Sequence, residues 1–305
     1  MPKHLLLTLI AAALASGLFL AVLASGLGFI FMFLPTLPLF VIGLGKQPRL
    51  ALIAALIASA LIGLAAGPSI AILFIVFFGL PSWYLANHSL LWRSDGTGRQ
   101  WMPVGTILTQ LTLYACATVA LITLFYASQP GGLPQLLSQN IHEAFSDLQG
   151  DYGDVIDMLA GRLSFLVFSI AVWLWGLALY AHAWLANRLL SAKGHNLRPN
   201  FAIDVFHMPG WMLTLLAICA LASLIGSPSM SFLGKSTLIS LMLPYFFQGA
   251  ALMHAVCRTW LNRRFFLFFV YFMMFALFWP ALILSGVGLW HQIKHLSADK
   301  TSSKS

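Results

Sequence analysis

Charged residues are scarce in this sequence. Only 8% of its 305 residues are Asp, Glu, Lys or Arg, and 60% are hydrophobic, whereas a soluble domain carries about 25% charged residues. So few charges cannot cover a water-facing surface, which excludes an ordinary soluble enzyme. Disordered chains are poor in apolar residues, so disorder is excluded as well. We therefore predict a multi-pass membrane protein surrounded by a lipid bilayer.

Motifs that would indicate chemistry are also missing. The sequence has no HExxH, GxSxG or Walker A pattern, the signatures of metalloproteases, hydrolases and nucleotide-binding enzymes. Its three cysteines, Cys116, Cys219 and Cys257, lie in apolar stretches without CxxC spacing, which argues against a disulfide framework or a zinc ribbon. We expect no catalytic residues, no cofactor and no metal site.

Long apolar runs fill most of the chain. Residues 5–44 contain no charge and would extend about 60 Å as one helix, against roughly 30 Å for a bilayer core, so they predict two passes. By the same rule the fold class is all-α, a bundle of eight or nine transmembrane helices. The candidate spans are 5–25, 27–44, 50–66, 69–90, 104–127, 163–187, 210–226, 237–257 and 265–290. Pro35 and Pro38 predict a re-entrant or broken second helix, and Pro280 predicts a kink in the last span.

The placement of basic residues predicts the orientation. Lys and Arg number 16 and Asp and Glu number 8, an excess that indicates cytoplasmic loops rather than nucleic-acid binding. We predict a protein of the inner (cytoplasmic) membrane with a cytoplasmic N-terminus. One conflict arises, because nine spans place a tail containing Lys294, Lys300 and Lys304 outside. A re-entrant 27–44 or an unspanned final segment would change the count and remove the conflict.

The long outer segment, 129–162, is predicted to be an acidic, amphipathic, extracytoplasmic loop. Its acidic residues share one helical face and apolar residues recur on another. The acidic residues are Glu143, Asp147, Asp151, Asp154 and Asp157. This pattern fits a helix lying on the outer surface with a solvated acidic face, and it also fits a cation-binding lid over a cavity. Gly150 and Gly153 are positions where such a helix can break.

Two predicted spans carry ridges of small residues at every fourth position. The first ridge is Ala13, Gly17, Ala21 and Ser25, and the second is Ala51, Ala55, Ser59, Gly63 and Gly67. Small residues at this spacing let helix backbones approach closely in lipid. The ridges therefore predict either packing of these helices inside the chain or docking of a partner membrane protein.

The predicted spans contain no Asp, Glu, Lys or Arg, so they lack a carboxylate relay of the kind that marks proton-coupled carriers. The polar residues that remain are candidates for a pocket that binds a neutral solute, and they are Gln110, Gln248, His88, His182 and His254. As alternatives, the glutamines form hydrogen bonds between helices, and the histidines lie at headgroup level beside Trp and Tyr.

Four stretches carry a family resemblance. They are residues 35–39 (PTLPL), Arg198-Pro199 leading to residues 208–211 (MPGW), residues 244–254 (PYFFQGAALMH) and residues 286–290 (GVGLW). Together they resemble the YybS-like family of uncharacterised bacterial multi-pass membrane proteins, in its proteobacterial form. The N-terminal part of that family is similar to the substrate-binding subunits of energy-coupling-factor transporters. The resemblance implies a micronutrient-binding subunit that docks on a transmembrane partner through small residues of an early helix.

These observations favour a transport-type, small-solute-binding membrane subunit without its own energy source. Such a subunit would need a transmembrane or ATPase partner. The main alternative is a membrane scaffold or regulator of envelope machinery with no ligand. A third reading, an intramembrane enzyme, would rest on the three histidines alone.

Overall fold

The computed structural model describes residues 2–25, 33–94, 96, 98–146, 149–199, 206–225 and 227–302. Within these residues the chain is almost entirely helical, with one two-stranded hairpin, which confirms the all-α prediction. Helices satisfy the backbone N–H and C=O groups within one segment, as lipid requires. The sequence has no tandem repeat and no Gly/Ser-rich linker, and from this we predict a single membrane domain over residues 1–305. In the structure the chain forms two compact units.

Unit 1 comprises residues 1–107 and 175–202. Its elements are α1 (Pro2–Ser25), α2 (Thr36–Gly45), α3 (Pro48–Ala66), α4 (Pro68–Ser89, with a π-helical turn at Ile75–Gly79), β1 (Trp92–Ser94) and β2 (Arg99–Trp101). The end of a long helix, Gln149–Ala192, completes the unit. α2 lies against α1, α3 and α4, which leaves its Leu39 and Phe40 with no exposed surface.

Unit 2 comprises residues 108–174 and 203–305. Most of α5 (Val104–Phe125), then α6 (Gly132–Ala144) and the first part of α7 (Gln149–Ala192) belong to it. It continues with α8 (Trp211–Leu224), α9 (Pro228–Ser240), α10 (Met242–Val256), α11 (Arg263–Leu277) and α12 (Trp279–Ser302). Trp173 of α7 is buried against Phe246 of α10 and donates its indole N–H to the carbonyl of Ile239 at 2.9 Å.

Six of the described helical segments are long and apolar enough to cross a membrane. They are His4–Ser25, Pro48–Ala66, Pro68–Ser89, Val104–Ser128, Ser164–Ala192 and Pro228–Thr259, and α11 with α12 adds a seventh if that bent pair is one span. α2 and α8, with 10 and 14 residues, are shorter than the bilayer core at about 1.5 Å per residue. Eight or nine full spans are therefore not confirmed. Residues 27–32 of the predicted second span lie outside the described residues, and the rest of that span contains α2.

A single residue, Gly67, joins α3 to α4. Its φ of +94° suits glycine because a Cβ would be strained there. Pro68 then occupies the first turn of α4, where its missing N–H removes no helical bond. The two helices approach through small groups. The Ser59 hydroxyl donates to the carbonyl of Ala71 at 2.9 Å, and Ala55 lies against Gly79.

The predicted last span, 265–290, is sharply bent. α11 and α12 meet at Phe278, whose φ is +55°, and the bend between them is 117°. A change of direction above 90° turns the chain back toward the side from which α11 starts. The sequence predicts a kink at Pro280. The break lies two residues earlier, and Pro280 sits in the first turn of α12, where proline is tolerated.

Two glycines let α10 and α12 pack backbone against backbone. Gly249 faces the carbonyl of Leu284, and Gly288 faces the carbonyl of Tyr245, so a Cβ at either position would overlap that backbone. Close approach gives van der Waals contacts between helices in lipid, where the hydrophobic effect cannot drive association. Gly286, on the same helix, has open space where its Cβ would lie.

Gly288→Ala should therefore destabilise the protein, whereas Gly286→Ala should not. Both changes bring the same gain in helix propensity, but only the first overpacks the contact between α10 and α12, at a cost of about 1–3 kcal/mol. Thermal unfolding of both variants in the same detergent measures the difference. Equal stability of the two variants would show that the close approach at Gly288 does not hold this pair together.

Candidate functional site

A buried polar network in unit 2 joins α12 to the segment that enters α8. Gln292 of α12 has no exposed surface, and its side-chain amide pairs with the backbone of Met208. The N–H of Met208 donates to Gln292 Oε1 at 3.0 Å, and Gln292 Nε2 donates to the Met208 carbonyl at 2.8 Å. Residues 206–209 are not helical, so their backbone groups need partners from elsewhere. Gln292 provides both partners for Met208.

Gln248, in the middle of α10, extends this network. Its side chain is fully buried. Its Nε2 donates to Gln292 Oε1 at 3.3 Å and lies 3.5 Å from Nδ1 of His291. The Gln248 Oε1 atom is also buried and accepts no hydrogen bond from the described residues. An unpaired buried carbonyl costs about 1–3 kcal/mol, and native proteins rarely leave one. This oxygen is therefore available as an acceptor for a donor that the described residues do not supply.

Apolar and sulfur-bearing side chains form the cluster beside this network. Its buried members are Cys116, Met208, Met212, Leu216, Cys219, Leu241 and Tyr245. The Thr109 hydroxyl of α5 lies 3.5 and 3.4 Å from the sulfurs of Met208 and Met212. Tyr245 is fully buried, and its hydroxyl finds no partner within the described part of the chain. Apolar walls with a few fixed polar groups are typical of small-molecule sites.

Three histidines stack beside Met208 and Gln292. The ring of His207 lies 3.7 Å from that of His295 and 5.3 Å from that of His291, centroid to centroid, and the planes are nearly parallel. Within the described residues, no group of three His, Cys, Asp or Glu side chains is arranged to hold a metal ion. We interpret the stack as a packing contact that fixes the segment before α8 against α12.

The two glutamines predicted for a pocket occupy different environments. Gln248 lies at the centre of the network, whereas Gln110 follows Thr109 on α5 and is half-buried. The predicted histidines each have a partner of their own: His88 with the Tyr84 carbonyl at 2.9 Å, His182 with the Thr36 hydroxyl at 2.9 Å, and His254 with the Tyr271 hydroxyl at 2.7 Å. His88 and His182 belong to unit 1. In unit 2, His254 bonds to α11 and does not join the Gln248 network.

The two small-residue ridges are placed differently. On α3, Ala51 and Ala55 are fully buried, and Gly63 packs against Ala71. Ser59 bonds to the carbonyl of Ala71 on α4, and Gly67 joins α3 to α4, as described above. On α1 the ridge points outward, and its exposed members are Ala13, Gly17, Ala21 and Ser25. The buried face of α1 is a different set: Ala11, Ala12, Ala15, Ser16 and Phe19.

The predicted acidic segment contains α6 and the start of α7. The chain leaves helical geometry at Phe145 and again at Tyr152, beside Gly153, so the amphipathic pattern does not run through one straight helix. His142 Nε2 lies 2.6 Å from Asp157 Oδ1 and links α6 to α7. Asp147 and the side chain of Asp151 lie outside the described residues.

Sequence reasoning missed Gln292, which lies two residues beyond the predicted last span. A signal was present in the spacing of α12. Ala281, Ser285, Gly288 and Gln292 follow one another at intervals of four, three and four, and all four are buried. A face of small residues that ends in glutamine predicts close helix contact with a polar group at its end. The partner, Met208, lies 84 residues away, and no local pattern identifies it.

Comparison with known proteins adds no relative. The chain matches no protein-family model, no curated protein and no solved structure.

Gln292→Leu should destabilise unit 2. The change leaves the N–H and the carbonyl of Met208 unpaired, and each unpaired group costs about 1–3 kcal/mol. Ser285→Ala is the matched control, because Ser285 is buried on the same helix but bonds only to the carbonyl of Ala281 one turn earlier. Thermal unfolding in detergent measures the stability of the Gln292→Leu and Ser285→Ala variants. A Gln292→Leu variant as stable as Ser285→Ala would contradict an anchoring role for Gln292.

The contact between α6 and α7 should depend on pH. The hydrogen bond to Asp157, followed by that to the Ser138 carbonyl, raises the pKa of His142. The contact therefore stabilises the fold fully below the ordinary histidine pKa of about 6.5, and this contribution is lost as pH rises through the raised pKa. Melting temperatures of the native chain and of His142→Asn should differ at about pH 6 and approach each other as pH rises through the raised pKa of His142. A difference that does not change with pH would rule out this ion pair.

Proposed function

We propose that this chain is a multi-pass inner-membrane protein that binds a small, neutral, polar solute in unit 2 and has no energy source of its own. The unpaired Oε1 of buried Gln248 carries the proposal. A solute N–H or O–H donated to this oxygen would remove the cost of about 1–3 kcal/mol for an unpaired carbonyl. Gln292 holds the Gln248 amide from the other side, so the acceptor is fixed before the solute arrives.

The lack of charged residues in the apolar stretches favours a neutral solute. The nine apolar stretches that contain the predicted spans have no Asp, Glu, Lys or Arg, so a charged solute would meet no countercharge there. An unpaired charge in an apolar interior is far more costly than a hydrogen-bonded neutral group. The apolar and sulfur-bearing cluster next to the network supports a solute with an apolar body and one donor group.

Movement of the solute would require a partner, because the sequence contains no nucleotide-binding motif. The outward ridge Ala13, Gly17, Ala21 and Ser25 on α1 supports docking against a transmembrane helix of an ATPase-linked partner, since small residues permit close helix approach. Resemblance to the YybS-like family, and through it to energy-coupling-factor substrate-binding subunits, supports the same arrangement.

All nine apolar stretches contain helices, and we place all of them in the membrane. Six cross it as long helices, α2 and α8 cross it as shorter ones, and α11 with α12 forms a re-entrant pair, which makes eight crossings. The 117° bend then returns Lys294 and Lys300 to the side of Arg258, Arg263 and Arg264. This arrangement removes the conflict with the positive-inside rule and supports a cytoplasmic N-terminus.

The alternative function is a membrane scaffold or regulator of envelope machinery. The exposed α1 ridge supports it, because a scaffold needs the same docking surface but no solute site. A catalytic role has less support, because the predicted histidines bond to separate partners and His88 and His182 lie in a different unit from His254.

Gln248→Leu distinguishes these functions. The protein is purified from native membranes in mild detergent, and mass spectrometry identifies the small molecules and proteins that accompany it. We expect a retained neutral solute that Gln248→Leu loses and that Gln139→Leu, the same change at an exposed position on α6, keeps. Protein partners should accompany all three forms. Recovery of envelope proteins with no solute in any form would contradict solute binding and favour the scaffold.

A further inference from the structure

The β-hairpin of unit 1 separates its side chains onto two faces. β1 and β2 pair antiparallel, with Trp92 opposite Trp101, Arg93 opposite Gln100 and Ser94 opposite Arg99. Residues directly opposite one another share a face, and successive residues alternate between faces. One face therefore carries Trp92, Trp101 and Arg99. Arg93 and Gln100 lie on the other.

An arginine lies against each tryptophan of the first face. The guanidinium of Arg99 lies 4.7 Å from the ring of Trp92, and that of Arg198 lies 5.6 Å from the ring of Trp101. Both distances fit cation–π contacts. Trp92 is 49% exposed, and Arg99 is exposed, so the end of this face that Arg99 occupies is open to its surroundings.

Arg198 holds the hairpin in place. Its guanidinium donates to the carbonyl of Ser89 at 2.9 Å, at the end of α4, and to the carbonyl of Met102 at 3.4 Å, just after β2. Burial lowers the pKa of Arg198 to about 10, so the group stays charged at pH 7. The hairpin is thereby fixed to the end of a membrane-crossing helix. Arg99 is not used in this fixation.

The position and charge of the hairpin match a lipid headgroup layer. It lies between Ser89, where the apolar helix α4 ends, and Val104, where α5 begins. The basic residues in the sequence of unit 1 are Lys3, Lys46, Arg49, Arg93, Arg99, Arg188, Lys193 and Arg198, and the acidic residue is Asp95. Tryptophan is favoured at the membrane–water interface, and clusters of basic residues beside a span attract anionic lipids.

We propose that the face formed by Trp92, Arg99 and Trp101 binds the phosphate of an anionic phospholipid. The planar guanidinium offers two parallel N–H donors to phosphate oxygens. The Trp92 ring restricts the guanidinium to one plane, which lowers the entropy lost on binding. The two indoles contact the glycerol and upper acyl region of the same lipid. This lipid site is in unit 1 and does not depend on the solute proposed for unit 2.

Arg99→Gln and Arg93→Gln test the proposal with the same loss of charge on opposite faces. The purified full chain, delipidated in neutral detergent, is titrated with phosphatidylglycerol or phosphatidylcholine, and native mass spectrometry counts the bound lipids. We expect the native chain to prefer phosphatidylglycerol. Arg99→Gln should weaken the binding of phosphatidylglycerol about tenfold more than Arg93→Gln does. The Arg99 variant loses a charge-assisted bidentate contact, whereas the Arg93 variant loses only long-range attraction. Arg99→Lys keeps the charge but not the planar fork and should recover only part of the affinity.

Three results would overturn the proposal. Equal losses for Arg99→Gln and Arg93→Gln would assign the binding to diffuse charge. Equal binding of the two lipids would exclude an anionic site. Competition by inorganic phosphate at concentrations similar to the lipid would indicate a site for free phosphate instead. Thermal unfolding of each variant, within about a degree of the native chain because surface changes are nearly neutral, establishes that a lost lipid does not reflect a lost fold.

Discussion

Polar groups that are buried in this chain need hydrogen-bond partners within it, and the pairing of buried Gln292 with the Met208 backbone is the interaction on which unit 2 depends. Helices meet this requirement for their own backbone. The segment before α8 does not, because it is not helical, and its partner comes from a glutamine on α12. Once Gln292 is fixed in this way, its Oε1 also receives Gln248. One side chain thus orients the network and leaves the Gln248 oxygen as the acceptor.

The second constraint is that the hydrophobic effect does not drive helices together in lipid, so van der Waals contacts between closely packed helices must hold them together. The chain meets it with glycine, alanine and serine at the contacts. Gly249 and Gly288 bring α10 and α12 together, and Gly67 with Ala55 and Gly79 brings α3 against α4. The α1 ridge has the same composition but faces outward. Small residues at the same four-residue spacing therefore form an internal contact on α3 and an exposed face on α1.

Composition and hydropathy predicted the helical class and the six long apolar helices of the described residues, because both follow from the cost of placing polar groups in lipid. Composition and hydropathy could not predict whether each stretch crosses the whole bilayer, since that depends on the direction that its helix takes. The bend at Phe278 shows this: residues 265–290 form one apolar stretch, and the backbone geometry at a single residue bends them into two helices at 117°. Pro280 indicated the region of the bend, but the break itself lies two residues earlier, at Phe278.

The candidate site was predicted in part. Gln248 is conspicuous as a glutamine in the middle of an apolar stretch, and the structure places it in the buried network. The pairing of Gln292 with Met208 and the stack of His207, His291 and His295 could not be predicted, because these contacts join positions up to 88 residues apart in the sequence. The histidines that the sequence predicted for a pocket do not converge, because His88, His182 and His254 each bond to a separate partner: the Tyr84 carbonyl, the Thr36 hydroxyl and the Tyr271 hydroxyl.

The most direct test of the central claim is a cryo-EM map of the protein purified from native membranes into nanodiscs, at a resolution that shows side-chain amides. The account predicts density for a small molecule within hydrogen-bond distance of Gln248 Oε1, with Gln292 paired to Met208. A map in which a single water or a protein group occupies that position, with no room for a solute, would contradict it.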